Sequence, residues 1–238
     1  MQSLQNNQAE PVAGFLLVRK PVGITSFQIV RKLRYITQVK KIGHAGTLDP
    51  FASGLVILAI GKQYTRLITN FLNASKEYRA TLVLGIETDS YDCDGKSIQA
   101  ERKTWDISEI ERAVLSFKGN YAQTPPAFSA KKIKGKKAYE LARKGEPVKL
   151  KPQLVTIFEI EIKRINNNIP YPVVEFIVKC AKGTYIRSLA RDIGVKLGSV
   201  AYLKDLCRTK IADHALKDAL DYKDLNIESI KKKIWNIK

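Results

Sequence analysis

Histidine and cysteine are scarce in this chain, and acidic residues are far fewer than basic ones. The 238 residues include two histidines, His44 and His214, and three cysteines, Cys93, Cys180 and Cys207. Three widely spaced thiols form neither a disulfide framework nor a zinc pattern, which points to a reducing, cytoplasmic setting. With no HExxH and two histidines in all, a zincin site is excluded and no Ser–His–Asp arrangement suggests itself. The longest purely aliphatic run, Leu55 to Ile60, is far short of a membrane span. The polar start "MQSLQNNQAEPVAG" lacks the apolar core of a signal peptide, so no membrane partner is expected.

Lysine and arginine number 41 against 23 aspartates and glutamates, a formal net charge of +18. Such an excess points to a polyanionic partner, because each phosphate neutralised by Lys or Arg releases a condensed counterion. A merely solvated lysine-rich surface is the plainer alternative. The shortage of acid is sharpest around "GHAGTLDPFASGLVILAIG" (43–61), where no other carboxylate lies within 25 residues of Asp49.

Periodicity and turn signals give a coarse map. "FLLVRKPVG" (15–23) reads as a strand closed by a Pro/Gly turn. A helix follows with Thr25 or Ser26 as its cap and Ile29, Val30, Leu33 and Ile36 as its apolar stripe. Strands are expected at 55–60, 76–85 and in "LVTIFEIEIKRI" and "YPVVEFIVKC", with helices near 62–72, 106–119 and 183–198. Residues 121–152 are rich in Pro and Lys, with nine Lys/Arg and two Glu between Lys131 and Lys151; they read as a basic insertion with a short helix around 138–144. Strands outnumber helices without regular alternation, so an α+β fold with a mostly antiparallel sheet is expected. The organisation predicted is a polar tail over 1–14, one domain over 15–215 and a lysine-rich tail over 216–238.

Generic motifs yield little. Gly54 to Gly61–Lys62 has the wrong gap for a P-loop, and Gln63 stands where Ser or Thr is needed. "SYDCDGKSIQAE" mimics a calcium loop but begins with Ser90 after a strand rather than a helix. A glycosidase-like pair would need a second carboxylate brought to Asp49 by the fold, with Asp92 the nearest candidate in kind. On residue types alone Asp49 reads either as a turn residue before Pro50 or as a reactive carboxylate beside an arginine.

Six blocks settle the family. "VRKPVGITSFQIVRKLR" (18–34), "GHAGTLDPFASGLVILAIGKQYTR" (43–66), "KEYRATLVLGIETDSYDCDG" (76–95), "PPAFSAKKIKGKKAYELARKG" (125–145), "CAKGTYIRSLARDIGVKLG" (180–198) and "AYLKDLCRTKIA" (201–212) resemble, in order, the motifs of bacterial TruB-type tRNA pseudouridine-55 synthases. The resemblance covers residues 15–212. It implies a pseudouridine-synthase-like fold whose mixed, mostly antiparallel sheet is flanked by helices, with residues 121–152 as an RNA-gripping thumb. The implied activity is isomerisation of uridine 55 in the T-loop of tRNA, by base flipping, without metal or organic cofactor, in a cytoplasmic and monomeric enzyme. Members of the family commonly continue into a C-terminal PUA domain; 26 residues follow Ala212, too few for one.

By the same resemblance, Asp49 matches the essential aspartate, Tyr78 the tyrosine that stacks on the target base, and Tyr185 and Arg187 the second tyrosine and the partner of the aspartate. Leu206 matches an apolar pocket residue, His44 a histidine that holds displaced loop bases, and Lys20 a supporting position beside the site. Thumb lysines Lys131, Lys132, Lys134, Lys136 and Lys137 are expected on phosphates. Asp49 could attack C1′ or remove a C2′ proton; the residues do not choose. A non-catalytic RNA-binding or RNA-folding module, or a basic ribosome-associated protein, would share the charge without needing Asp49, Tyr78 and Arg187 together.

Overall fold

A computed structural model describes residues 12–129, 131–133 and 135–236. Its elements in chain order are β1 (Gly14–Lys20), α1 (Ser26–Thr37), β2 (Ile42–His44), β3 (Ser53–Ile60), α2 (Lys62–Leu67), α3 (Thr69–Asn73), β4 (Lys76–Leu84), β5 (Ile86–Thr88), β6 (Ser97–Ala100), α4 (Ile107–Leu115) and β7 (Gly119–Gln123). Then come β8 (Lys132–Ile133), β9 (Lys136–Lys137), α5 (Ala138–Arg143), β10 (Gln153–Asn166), β11 (Val173–Cys180), α6 (Ile186–Lys196), β12 (Ala201–Ile211), β13 (His214–Ala215), β14 (Leu220–Asp221) and α7 (Ile227–Lys233).

Ten strands form one mixed sheet along the path β14-β1-β3-β12-β4-β11-β10-β7, with β2 and β13 attached to β3 and β12. Only the β1–β14 and β3–β12 pairings are parallel; the other neighbours are antiparallel. The expected α+β class and mixed, mostly antiparallel sheet are therefore observed.

The uninterrupted apolar run of β3 has a simple cause. Val56, Leu58 and Ile60 face a core filled by α1, α4 and α6, while Leu55, Ile57 and Ala59 face a second core filled by Tyr64 of α2 and Phe71 of α3. A strand covered on both faces has no side left for polar residues. Helix α1 turns Ile29, Val30 and Leu33 inward, and Thr25 caps it in a reciprocal box with Gln28.

Two boundaries expected from sequence shift. Residues 121–123, placed at the start of the basic insertion, belong to the sheet: β7 pairs with β10 from Gly119↔Ile157 to Gln123↔Gln153. Polar Gln123 is buried there, which the Pro- and Lys-rich composition of the neighbouring residues hid. The segment 216–238, read as a tail, packs on the domain over its described part. Strand β14 lies along β1, Trp235 exchanges backbone hydrogen bonds with Phe15, and Leu225 and Ile230 are buried. It covers the edge of β1, which would otherwise present unpaired backbone groups. Of the N-terminal tail, residues 1–11 lie outside the described residues.

Candidate active site

Asp49 sits where β2 and α1 hand the chain to β3. Ser26, the first residue of α1, donates from its hydroxyl to the Leu48 carbonyl (3.3 Å) and accepts from the Leu48 amide (2.9 Å). The Ala52 amide donates to the Asp49 carbonyl at 3.2 Å, closing the turn. From the other side comes Lys20, fully buried, whose ammonium donates to the carbonyls of Pro21, Ile24 and Pro50 at 2.9, 2.7 and 3.3 Å. Burial lowers the Lys20 pKa to about 8, against the opposing pull of the Asp49 charge. Its three carbonyl bonds stitch the Pro21–Ile24 segment to the Asp49–Pro50 turn.

The Asp49 side chain remains 37% exposed, whereas the arginine that meets it is 5% exposed. Arg187, in the first turn of α6, places Nε 3.0 Å from Asp49 Oδ2 and Nη1 3.3 Å from Asp92 Oδ2. Its remaining donors go to the carbonyls of Ser90 (2.9 Å) and Phe128 (2.8 Å). One guanidinium thus joins the Asp49 loop, the acidic loop after β5, the segment around Phe128 and α6. Its planar fork can hold two carboxylates at fixed angles, which a lysine could not. Asp92 is buried, and desolvation raises its pKa despite the Ser90 hydroxyl (2.6 Å), the nearby Arg187 charge and the Asp94 amide (3.1 Å). Asp92 is the second carboxylate that the sequence near Asp49 lacks, and 43 residues of chain separate the two.

Sheet register supplies the floor. In β4 and β12, Tyr78 lies opposite Arg208 and Ala80 opposite Leu206; with a period of two, these four share one face. Tyr78 is half-buried against the main core, and Leu206 is buried within it. Desolvation raises the Tyr78 pKa, so its hydroxyl stays protonated at neutral pH. The Asp49 charge contributes to the shifts of Lys20, Tyr78, Asp92 and Tyr185, so all four lie within electrostatic reach of it.

Arg208 has no counterpart in the sequence-based site, and it is fully buried without an ion pair among the described residues. Its Nε donates to the Leu55 carbonyl at 2.7 Å and its Nη2 to the Gly46 carbonyl at 3.1 Å, so it grips both sides of the Asp49 loop. The glycines of the loop answer to this grip. Gly46 has φ +89°, a region that favours glycine. A Cβ on Gly54 would lie 2.4 Å from the Arg208 carbonyl oxygen, because β3 and β12 run together there. The close approach that glycine allows here is one within the protein itself. The one sequence signal for Arg208 is its place two residues after Leu206 on the same strand.

Tyr185 caps the N-terminal end of α6, where Gln123 clamps its backbone from both sides: the Tyr185 amide donates to Oε1 at 2.8 Å, and Nε2 donates to the Tyr185 carbonyl at 3.0 Å. Burial, aided by the Asp49 charge, raises the pKa of its hydroxyl. His44 ends β2 with its Nδ1 buried and without a hydrogen-bond partner. Burial and the Arg208 charge lower its pKa, favouring the neutral ring.

The fold therefore brings Asp49, Tyr78, Tyr185, Arg187 and Lys20 together, with Leu206 in the floor. Of the thumb lysines, Lys132, Lys136 and Lys137 lie on a separate hairpin, β8–β9. Lys131 donates to Gln153 at 2.7 Å, and Lys136 is exposed on β9. Lys132 and Lys137 have strand backbones, and Lys134 lies outside the described residues. No group of three or more His, Cys, Asp or Glu side chains able to hold a metal occurs among the described residues, and none of their helices is long and apolar enough to cross a membrane.

Comparison with known proteins gives concordant matches. The family model for TruB family pseudouridylate synthase (N terminal domain) matches residues 34–186. The tRNA pseudouridine synthase B of Protochlamydia amoebophila is 47% identical over 208 residues, 87% of this chain and 78% of that protein. That of Chlamydia muridarum is 44% identical over 212 residues, 89% and 86% of the two. Among solved structures, a chain of a Cbf5-Nop10-Gar1 complex superposes with a TM-score of 0.68 at 28% identity, covering 90% of this chain and 54% of that chain. This chain thus spans about half the length of that one.

Proposed function

Because the chain belongs to the TruB family of pseudouridylate synthases, we infer that it isomerises uridine to pseudouridine in tRNA, at position 55 of the T-loop, with Asp49 as the reacting carboxylate. The observation that carries the assignment is the half-exposed Asp49 held at 3.0 Å by a buried arginine that is itself anchored on a second carboxylate. Arg187 holds the Asp49 carboxylate in one orientation while leaving part of it open to a substrate sugar.

The reaction breaks the N-glycosidic bond, turns the base over and rejoins it through C5. Its atoms are conserved and its redox state unchanged, so it calls for no cofactor or metal. The target base must leave its stack to be reached. The Tyr78 ring supplies a face on which it stacks, and Leu206 the apolar floor beneath. Asp49 then acts at the sugar, by attack at C1′ or by removing the C2′ proton. After reattachment the proton on C5 must leave. Tyr185 keeps its hydroxyl protonated, so it serves as a relay, accepting the C5 proton as it passes its own to water, while N1, freed from the sugar, takes a proton from water in turn. His44, whose burial favours the neutral ring, holds a displaced loop base with the part of the ring that stays open. The thumb lysines take phosphates of the T-stem. Acting in this way, the protein is a monomer in the cytoplasm, where its thiols stay free.

The test incubates purified protein with an unmodified tRNA transcript and maps pseudouridine chemically, for wild type and Asp49→Asn. Product from wild type and none from the variant is expected. Equal rates from both would overturn the role of Asp49, and binding without product from wild type would leave an RNA-binding module.

A further inference from the structure

Between residues 11 and 48 the sequence contains no aspartate or glutamate, yet it holds seven lysines and arginines. Two of these are spent inside the protein, Lys20 on carbonyls beside the site and Lys32 on the Tyr222 carbonyl at 2.6 Å. Arg31 and Arg34 are different. They lie on the solvent face of α1 and make no ion pair among the described residues, whereas other surface cations do: Arg19 with Asp221, Lys179 with Glu159 and Lys210 with Glu77.

The same face carries aromatics that the core does not use. Phe27 is 53% exposed and Tyr35 is 81% exposed, the latter more than any other large hydrophobic side chain described. Positions 27, 31, 34 and 35 follow the helical spacing of one stripe, about 12 Å long at 1.5 Å per residue. The Arg34 guanidinium lies 5.7 Å from the Phe27 ring centre. An ordinary solvent face would mix both charge signs and keep large aromatics inward. Aromatic platforms interleaved with arginines are instead what unstacked nucleotides require, since every base has a stacking face and every linkage a phosphate. The stripe is also continuous with the site: Phe27 follows Ser26, which holds Leu48 beside Asp49.

We propose that the outward face of α1 is a second RNA contact, taking unstacked bases and phosphates of the substrate beyond the target uridine; it rests on the reading of the chain as a tRNA isomerase. Phe27 and Tyr35 stack on bases, and Arg31 and Arg34 neutralise phosphates. Charge complementarity and continuity with the catalytic loop favour RNA over an apolar protein surface as the occupant.

The experiment measures the Kd of a full-length unmodified tRNA transcript at several salt concentrations, together with the single-turnover rate at saturating protein. The variants are Phe27→Ala/Tyr35→Ala, Arg31→Gln/Arg34→Gln and, as an exposed control on α4 and the turn after it, Arg112→Gln/Lys118→Gln. The aromatic pair should weaken binding about tenfold or more. The arginine pair should lower the salt slope by nearly two. Neither should change the saturated rate, and the control should bind nearly as wild type does. Unchanged binding in both α1 variants overturns the proposal, as does an equal loss in the control. Failure of the isomerase reading is separate: wild type would then bind tRNA and form no pseudouridine, whatever the variants do.

Discussion

Replacing Arg208 by methionine tests whether the Asp49 loop is set from beneath. The side chain is fully buried and donates to two carbonyls, of Leu55 in β3 and of Gly46 three residues before Asp49. Methionine fills similar space but leaves both carbonyls without a donor. The Leu55 bond is buried, so its loss costs about 1–3 kcal/mol; Gly46 is partly open, and water can replace its donor. Against this, the variant no longer buries a cation that lacks a carboxylate partner, which ordinarily costs several kcal/mol. The net loss of stability should therefore be small, about 2 kcal/mol or less, or a fall in Tm of roughly 4–8 °C at most. Activity should suffer more. Freed at Gly46, the loop can drift, and a displacement of about 1 Å at a reacting group costs on the order of 100-fold. Arg208→Lys keeps the charge but cannot span carbonyls on two strands with a planar fork. It should recover stability and leave the rate low. The assays are thermal melting, tRNA affinity and the single-turnover rate on unmodified tRNA. Arg208→Met turning over at the wild-type rate would refute the reasoning, and so would a rate loss that merely tracked the unfolded fraction.

Asp92→Asn should lower the single-turnover rate at least tenfold while leaving tRNA affinity within a few-fold, since Asp92 is buried; the loss of its Arg187 contact should be partly offset because burial already raises the Asp92 pKa, so the melt should fall only modestly near neutral pH. A melt of Asp92→Asn well below wild type would contradict this. Neutralising Lys131, Lys136 and Lys137 together should weaken tRNA binding and reduce its salt slope by up to about three, with the saturated rate nearly unchanged; titration at several salt concentrations decides it. Lys20 loses its proton near pH 8 in the fold but near 10.5 when unfolded. The unfolded state therefore binds more protons between those values, and stability rises with pH there. From pH 7.5 to 9.5, urea denaturation should show wild type gaining about 1–2 kcal/mol relative to Lys20→Met, a difference absent below pH 7.

The strands and helices were legible because their signals are local. Thr25 with Gln28 announces a capped helix, and the apolar run 55–60 announces a strand buried on both faces. The reactive centre was legible only as a set of motif matches. What sequence could not convey was partnership at a distance. Gln123 clamps Tyr185 across 62 residues, and Arg208 holds Gly46 across 162; neither bond leaves a trace in spacing or periodicity. Composition was also misleading at 121–123 and 216–236. Proline and lysine just after 123, and lysine along 216–236, suggest exposed chain, yet strand pairing with β10 and β1 buries part of each segment.

The scarcity of acid around Asp49 acquires a physical meaning from Asp92. Were Asp49 alone on Arg187, the guanidinium would cancel the one charge that the chemistry needs and hold it back from the sugar. Two carboxylates on one guanidinium leave a net negative charge, and burial decides which of them carries it outward. Asp92 is 4% exposed and bound by Ser90 and the Asp94 amide, so it is fixed as the anchor. Asp49 keeps one contact at 3.0 Å and an open flank. The arginine then orients Asp49 without saturating it, while Lys20 and Arg208, both occupied by carbonyls, fix the loop from two other directions. A second acid within the loop itself would stand against Asp49 with no cation between them; one delivered from a distant loop arrives already paired to Arg187. That difference is why the segment 43–61 carries a single carboxylate although the site contains two.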